Sequence, residues 1–274
     1  MGVEAAVAYA RRHRLDALMV WHDGAVECEA TDNGFDVRAP HALYSGTKSF
    51  WGPAAVLAQR EGLLELDEPV CKTLTEWRGD ARRERITPRM LLSLTAGYGF
   101  GGLGAAVPTY DRAIALPLKD DPGSTFTYGG IALQVFGAFF ARKLAAQQLT
   151  PHRYLLERLL RPAQVEVASW RTLKDGTHPL PTGAFLTAAA WLTYGTYVCE
   201  QQTRFAECFA GSKANRRYGL GWWLGLSNAP ADLVYASGSG GQGLYVIPSH
   251  KLVAVHFGNR SAYKHDAFVR ALVG

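Results

Sequence analysis

The 274-residue chain has no apolar run that could cross a bilayer, which takes about 20 residues. It has no internal repeat and no low-complexity tract, so solenoid and fibrous classes fall away. Its N-terminus lacks a continuous apolar core: Arg11, Arg12 and Arg14 follow a weakly amphipathic start, and no secretory signal is legible. As written it reads as cytoplasmic; a removed signal would make it periplasmic or secreted. Cysteine is scarce. Cys28, Cys71, Cys199 and Cys208 have spacings that fit no zinc motif. Cys199 and Cys208 would bridge only if their segment turned back; buried free thiols fit better. The eight histidines form no spaced metal set, and no metal or organic cofactor is expected. Charge is modest, 19% of residues with a net of +5, and the arginines are scattered. No basic stripe interleaves with aromatics, so nucleic acid is not an expected partner. What remains is 48% apolar, the balance of an ordered globular protein of one or two domains.

Two short runs, Ala17 to Val20 and Ala25 to Glu29, flank His22-Asp23-Gly24 and predict a β-hairpin. Val3 to His13 predicts a helix before it. Ser45 to Glu61 predicts another, kinked or split at Pro53. From Leu63 to Gly211 strand signals are weak, and Arg89 to Leu94, Gly130 to Leu144 and Tyr154 to Leu160 look helical. After Arg217, Tyr218 to Leu226, Leu233 to Ala236, Leu244 to Ile247 and Leu252 to Phe257 predict strands, and Ala262 to Leu272 a closing helix. Strands at both ends imply one antiparallel sheet completed by both termini. Residues 1–61 and 212–274 would form the sheet region and 62–211 a mostly helical region, with the site between them.

The sharpest chemical signal is Ser45-Gly46-Thr47-Lys48. Three residues apart on a helix, Ser45 and Lys48 share a face. Burial and the electropositive helix start both disfavour a protonated Lys48 there. A neutral Lys48 can take the Ser45 proton, as an alcohol nucleophile requires. Taken alone, the same four residues also describe a capping serine beside a solvated lysine. Gly99 to Gly104 lacks the Lys-Ser/Thr ending of a phosphate loop and reads as a flexible loop near the site's mouth. His22 falls in the hairpin turn; His250 and His265 read as exposed. Trp170, Trp222 and Trp223 are candidates for a pocket wall, although large aromatics also fill cores.

Context sharpens the Ser-x-x-Lys signal. Leu43 to Phe50 resembles the active-site segment of the penicillin-binding-protein and serine β-lactamase superfamily. Ile86 to Gly97 is similar to its ITIRHLLTHTSG stretch, and Pro122-Gly123-Ser124-Thr125-Phe126-Thr127-Tyr128 to its PGxxFxY stretch. Gly62 to Val70, Gly183 to Ala188 and Tyr218 to Trp223 match further landmarks in the same order. The nearest branches are class C-like esterases and the 6-aminohexanoate-dimer hydrolase type. The resemblance implies an α/β (α+β) fold with a central antiparallel sheet flanked by helices. It also implies a proton-relay role for Tyr128. Gly130 stands where the family's Tyr-x-Asn has Asn, which weakens the case for β-lactam or peptide substrates. The family's Lys/His-Thr-Gly element would lie near Ala236 to Gln242, where neither Lys nor His is present, and Gly238, Ser239, Gly240, Gly241 and Gln242 fit the Gly-x-x-Gly-Gln pattern of the aminohexanoate branch. By that alignment the N–H groups of Ser45 and Ser239 form an oxyanion hole, and Gly130, Gly238, Gly240 and Gln242 border the substrate. The pattern alone equally describes a Gly-rich hairpin turn. Without a cation on this segment, strong selection for a substrate carboxylate there is not expected.

The resulting expectation is a carboxylesterase acting on a small-molecule ester through an acyl-enzyme on Ser45, with weak β-lactam turnover as a side activity. An amide hydrolase (β-lactamase, D-amino-acid peptidase or aminohexanoate-oligomer hydrolase) is the alternative. A catalytically inert binding domain is the alternative of another class. Oligomeric state is not legible.

Overall fold

The Asp23-Gly24 dipeptide makes the turn that the sequence calls for. In the computed structural model, which describes residues 1–259 and 262–274, β1 (Leu15–His22) and β2 (Ala25–Thr31) pair antiparallel around it. Both turn residues have positive φ, the handedness that lets a two-residue loop follow strand twist. β1 is buried along most of its length, whereas β2 is a largely exposed edge.

The C-terminal run supplies β6 (Trp223–Leu224), β7 (Val234–Gly238), β8 (Gln242–Ile247) and β9 (Leu252–Gly258). β1 pairs directly with β9, giving an antiparallel sheet of order β2-β1-β9-β8-β7-β6. Both ends of the chain therefore complete one sheet. The Tyr218 to Leu226 stretch is shorter as a strand than expected. Only Trp223–Leu224 joins the ladder, because Gly219 and Gly221 fold the preceding residues into a tight turn. A second sheet, β3 (His41–Ala42), β5 (Ala184–Leu186) and β4 (Ser169–Trp170), joins the N-terminal segment to the middle of the chain.

Alternation along the strands creates two cores. Leu18, Val20, Tyr245 and Ala254 face one side and pack under α1 (Val3–Arg12) and α8 (His265–Val273). Ala17, Met19, Leu244 and Val255 face the other. That second side is covered by a helix from residues 62–211, Ala188–Glu200, capped by Thr187, whose side chain accepts from the Ala190 N–H. Ahead of it come α2 (Trp51–Arg60), α3 (Pro88–Leu92), α4 (Tyr110–Ala115), α5 (Ile131–Leu144) and α6 (Pro151–Leu155), making the Ala188–Glu200 helix α7. α5 is buried on nearly all sides, as its apolar sequence requires. No helix among the described residues is long and apolar enough to cross a membrane, and all four cysteines are free thiols.

Candidate active site

The stretch expected as one helix is two. Tyr44–Phe50 is a 3-10 helix and α2 follows from Trp51. The break precedes Pro53, which sits in the first turn of α2, where a missing N–H costs little. The carbonyl of Ser49, four residues before Pro53, is thereby free to accept the Tyr194 hydroxyl at 2.8 Å and Trp222 Nε1 at 3.0 Å. The 3-10 geometry matters more for chemistry. With three residues per turn, residues i and i+3 eclipse, so Ser45 and Lys48 stand in one row. Tyr44, just before the nucleophile candidate, has φ 47, a left-handed backbone uncommon outside glycine and frequent at functional sites.

Lys48 is 1% exposed. Its Nζ lies 2.9 Å from Ser45 Oγ and 3.1 Å from the Pro181 carbonyl oxygen. Burial lowers its pKa from 10.5 to about 7. The Tyr128 ring centroid is 4.8 Å from Nζ, a cation–π contact that opposes this fall without cancelling it. Burial alone drives the shift; the helix start invoked from sequence is only a short 3-10 turn. A neutral Lys48 that donates to Pro181 still has its lone pair available to turn toward Ser45.

Burial raises the pKa of Tyr128 against a smaller lowering pull from the Ser45 side chain, so it stays a phenol at neutral pH. Its ring stacks on Trp223 at 5.6 Å and meets the edge of Tyr218 at 6.2 Å. The fold thus gathers Ser45, Lys48 and Tyr128. Of the three tryptophans singled out in the sequence, Trp223 stands beside them. Trp222 is fully buried, and Trp170 donates to the Pro179 carbonyl.

Gly130 does not present an open substrate contact. It is buried, and a Cβ placed there would lie 1.8 Å from the Gly102 carbonyl oxygen and 2.9 Å from Pro181 Cγ. The Gly99 to Gly104 loop, expected to be flexible at the mouth, packs its backbone into this space. Gly101 accepts the Gly130 N–H at 2.8 Å.

The β7–β8 hairpin carries the third segment, with Ser239, Gly240 and Gly241 as its loop. A Cβ on Gly238 would lie 2.2 Å from the Leu43 carbonyl oxygen. Glycine here lets the strand press against the chain two residues before Ser45. Among the described residues, neither the Ser45 nor the Ser239 N–H is spent on a backbone carbonyl. Gln242 is otherwise than expected. It is 1% exposed, and its amide donates to the Ser239 carbonyl at 2.9 Å and accepts from the Gly258 N–H at 3.1 Å. It braces the loop on β9 rather than offering a free group to substrate. A Cβ on Gly240 would lie 2.9 Å from the same amide nitrogen, so that loop closes over the brace.

His265, expected to be exposed, is engaged at both ring nitrogens. Nε2 is 2.8 Å from Ser237 Oγ and Nδ1 is 2.6 Å from the Tyr245 hydroxyl. Burial lowers its pKa to about 4, against a smaller opposing pull from Asp266. A neutral imidazole thus sits against Ser237, at the start of the segment that would carry the superfamily's third element. Sequence reasoning missed it, as it missed Pro181; neither residue carries a local motif. Among the described residues, no three His, Cys, Asp or Glu side chains are placed to share a metal.

The chain matches the Beta-lactamase family over residues 5–273 and belongs to it. No curated protein matches it in sequence. Solved structures share its fold at low identity. One is the hydrolase EstCE1, described as having promiscuous acyltransferase activity: TM-score 0.80, 15% identity, covering 99% of this chain and 98% of that one. Another is the class C β-lactamase of Rhodobacter sphaeroides: TM-score 0.74, 16% identity, covering 99% and 97%. A provisionally named 6-aminohexanoate-dimer hydrolase of Bacillus anthracis has TM-score 0.74 and 16% identity, covering 96% and 79%. The fold is the β-lactamase/transpeptidase type, as the motif order implies.

Proposed function

We propose that this protein is a serine hydrolase that cleaves carboxylic esters through an acyl-enzyme on Ser45. One observation carries the reading: a buried lysine, with pKa about 7, lies 2.9 Å from a serine hydroxyl and 4.8 Å from the ring centroid of a tyrosine. In the first step Ser45 Oγ attacks the ester carbonyl carbon and its proton passes to neutral Lys48. The oxyanion is received by the free N–H groups of Ser45 and Ser239. The C–O bond to the leaving group breaks, and the alkoxide takes a proton relayed through Tyr128. Water, deprotonated through Lys48 or Tyr128, then attacks the acyl carbon and releases the acid and Ser45. The ester preference over β-lactams rests on two departures. The Gly130 position is filled by loop backbone, leaving no side-chain amide to hold an amide substrate. The Ala236 to Gln242 segment supplies no cation for a lactam carboxylate.

Parallel assays of p-nitrophenyl butyrate and a chromogenic cephalosporin, on wild type and Ser45→Ala, test this. The expected result is ester turnover, little cephalosporin turnover, and loss of roughly 10⁴-fold or more in Ser45→Ala. Dominant cephalosporin turnover would overturn the ester preference, and full ester activity in Ser45→Ala would overturn the nucleophile.

A further inference from the structure

The Gly102 backbone that fills the space beside Gly130 also walls a cavity of about 650 Å³. Two groups of lining side chains stand out. Val107, Leu116 and Ile131 give apolar surface, and Arg112, Arg171 and Lys174 give three cations. No acidic side chain lines it. Among the described residues none of the three cations forms an ion pair. Arg171 Nη1 donates to the Gly104 carbonyl at 2.8 Å, but its Nε and Nη2 are shielded from solvent and have no partner. Shielded donors without acceptors are costly, and a small turn of the Arg171 side chain toward an anion in the cavity would relieve that cost. Arg112 and Lys174 are exposed and extend the positive rim.

The cavity adjoins the reacting groups through a short series of contacts. Ile131 follows Gly130, Gly130 abuts Pro181, and the Pro181 carbonyl holds Lys48. The β7–β8 hairpin offers no cation, so a carboxylate would be read here instead.

We propose that this cavity binds a carboxylate carried on a short apolar chain, at the end of the substrate remote from the scissile bond. This rests on the reading of Ser45 as the nucleophile of an esterase. The chain would lie along Val107, Leu116 and Ile131, with the carboxylate among Arg112, Arg171 and Lys174. Charge-assisted bonds to guanidinium and ammonium groups supply the recognition. Remote binding of this kind raises kcat/KM for the anionic substrate over its neutral counterpart.

Two measurements test it. The first compares mono-p-nitrophenyl adipate with p-nitrophenyl hexanoate, and 3-carboxy-4-nitrophenyl hexanoate with the same neutral ester. These place the carboxylate on the acyl side and on the leaving group in turn. Wild type is expected to prefer one anionic ester by roughly tenfold in kcat/KM, mostly through KM. In Arg112→Gln/Lys174→Gln that ratio should fall toward one. The second is calorimetric titration of adipate into Ser45→Ala protein, with and without the two Gln substitutions. Binding that weakens about tenfold in the substituted protein supports the site even if ester hydrolysis proves absent, so the two readings fail separately. A ratio at or below one in both arms, or adipate binding that ignores the substitutions, overturns the proposal.

Discussion

Lys48 Nζ donates to the carbonyl of Pro181, 133 residues further along the chain, while facing Ser45 three residues back. On the proposed mechanism, a lysine held this way serves as base only in its neutral form. The log of kcat/KM for an ester should rise with pH on an acid limb centred near 7, the lowered pKa of Lys48. Below that limb the rate should drop about tenfold per pH unit. A flat profile between pH 5 and 8 would remove Lys48 as the base.

The same burial has a cost in stability. Lys48 holds its proton up to about pH 7 when folded, against 10.5 for the free side chain. Between those values the unfolded chain binds more protons, so stability gains with rising pH across that window. Below pH 7 the penalty is complete. Lys48→Met should therefore be inactive yet more stable than wild type at pH 6, by about 1–3 kcal/mol once the lost donor to Pro181 is counted. The gain should vanish above pH 10. Urea melts at pH 6 and pH 9 give the comparison.

Restoring the superfamily's asparagine should not restore β-lactam turnover. Gly130→Asn drives its Cβ into the Gly102 carbonyl. Overpacking of this kind should cost at least ~2 kcal/mol, roughly 4–8 °C in Tm for a chain of this size. A variant with unchanged Tm would show that the loop yields easily.

His265→Ala should lose about 1–3 kcal/mol at pH 8, since Ser237 and Tyr245 each lose a partner. Wild type carries an acid sensitivity that the variant lacks. The folded His265 takes its proton near pH 4, the unfolded one near 6.5, so its contribution declines as pH falls between them. The stability difference between the two proteins should therefore narrow from pH 7 to pH 4. His256, buried and lowered to about 3, titrates in both and drops out of the comparison.

The outer architecture was legible because it is written in period and turn chemistry. The β1–β2 hairpin announced itself through Asp23-Gly24, and β7, β8 and β9 through apolar runs between turns. The serine–lysine spacing was legible for the same reason, although the helix type was not: α and 3-10 turns leave the same residues in view. The strands His41–Ala42, Ser169–Trp170 and Ala184–Leu186 are too short to have a period. Gln242 and Gly130 looked like substrate contacts because sequence shows composition and not what already occupies the space. Pro181, His265 and Arg171 gain their roles only when distant segments meet, which no local pattern encodes.

The pairing of β1 with β9 sets the first hairpin and the last three strands in a single ladder. The two ends of the polypeptide thus behave as one cooperative body, with the middle of the chain looped out between them. A cut within that middle, for instance in the exposed Gly104 to Ala106 turn, would not free either fragment. One fragment would keep β1 and β2 and the other β6 to β9, and the severed protein would persist as a non-covalent complementation pair.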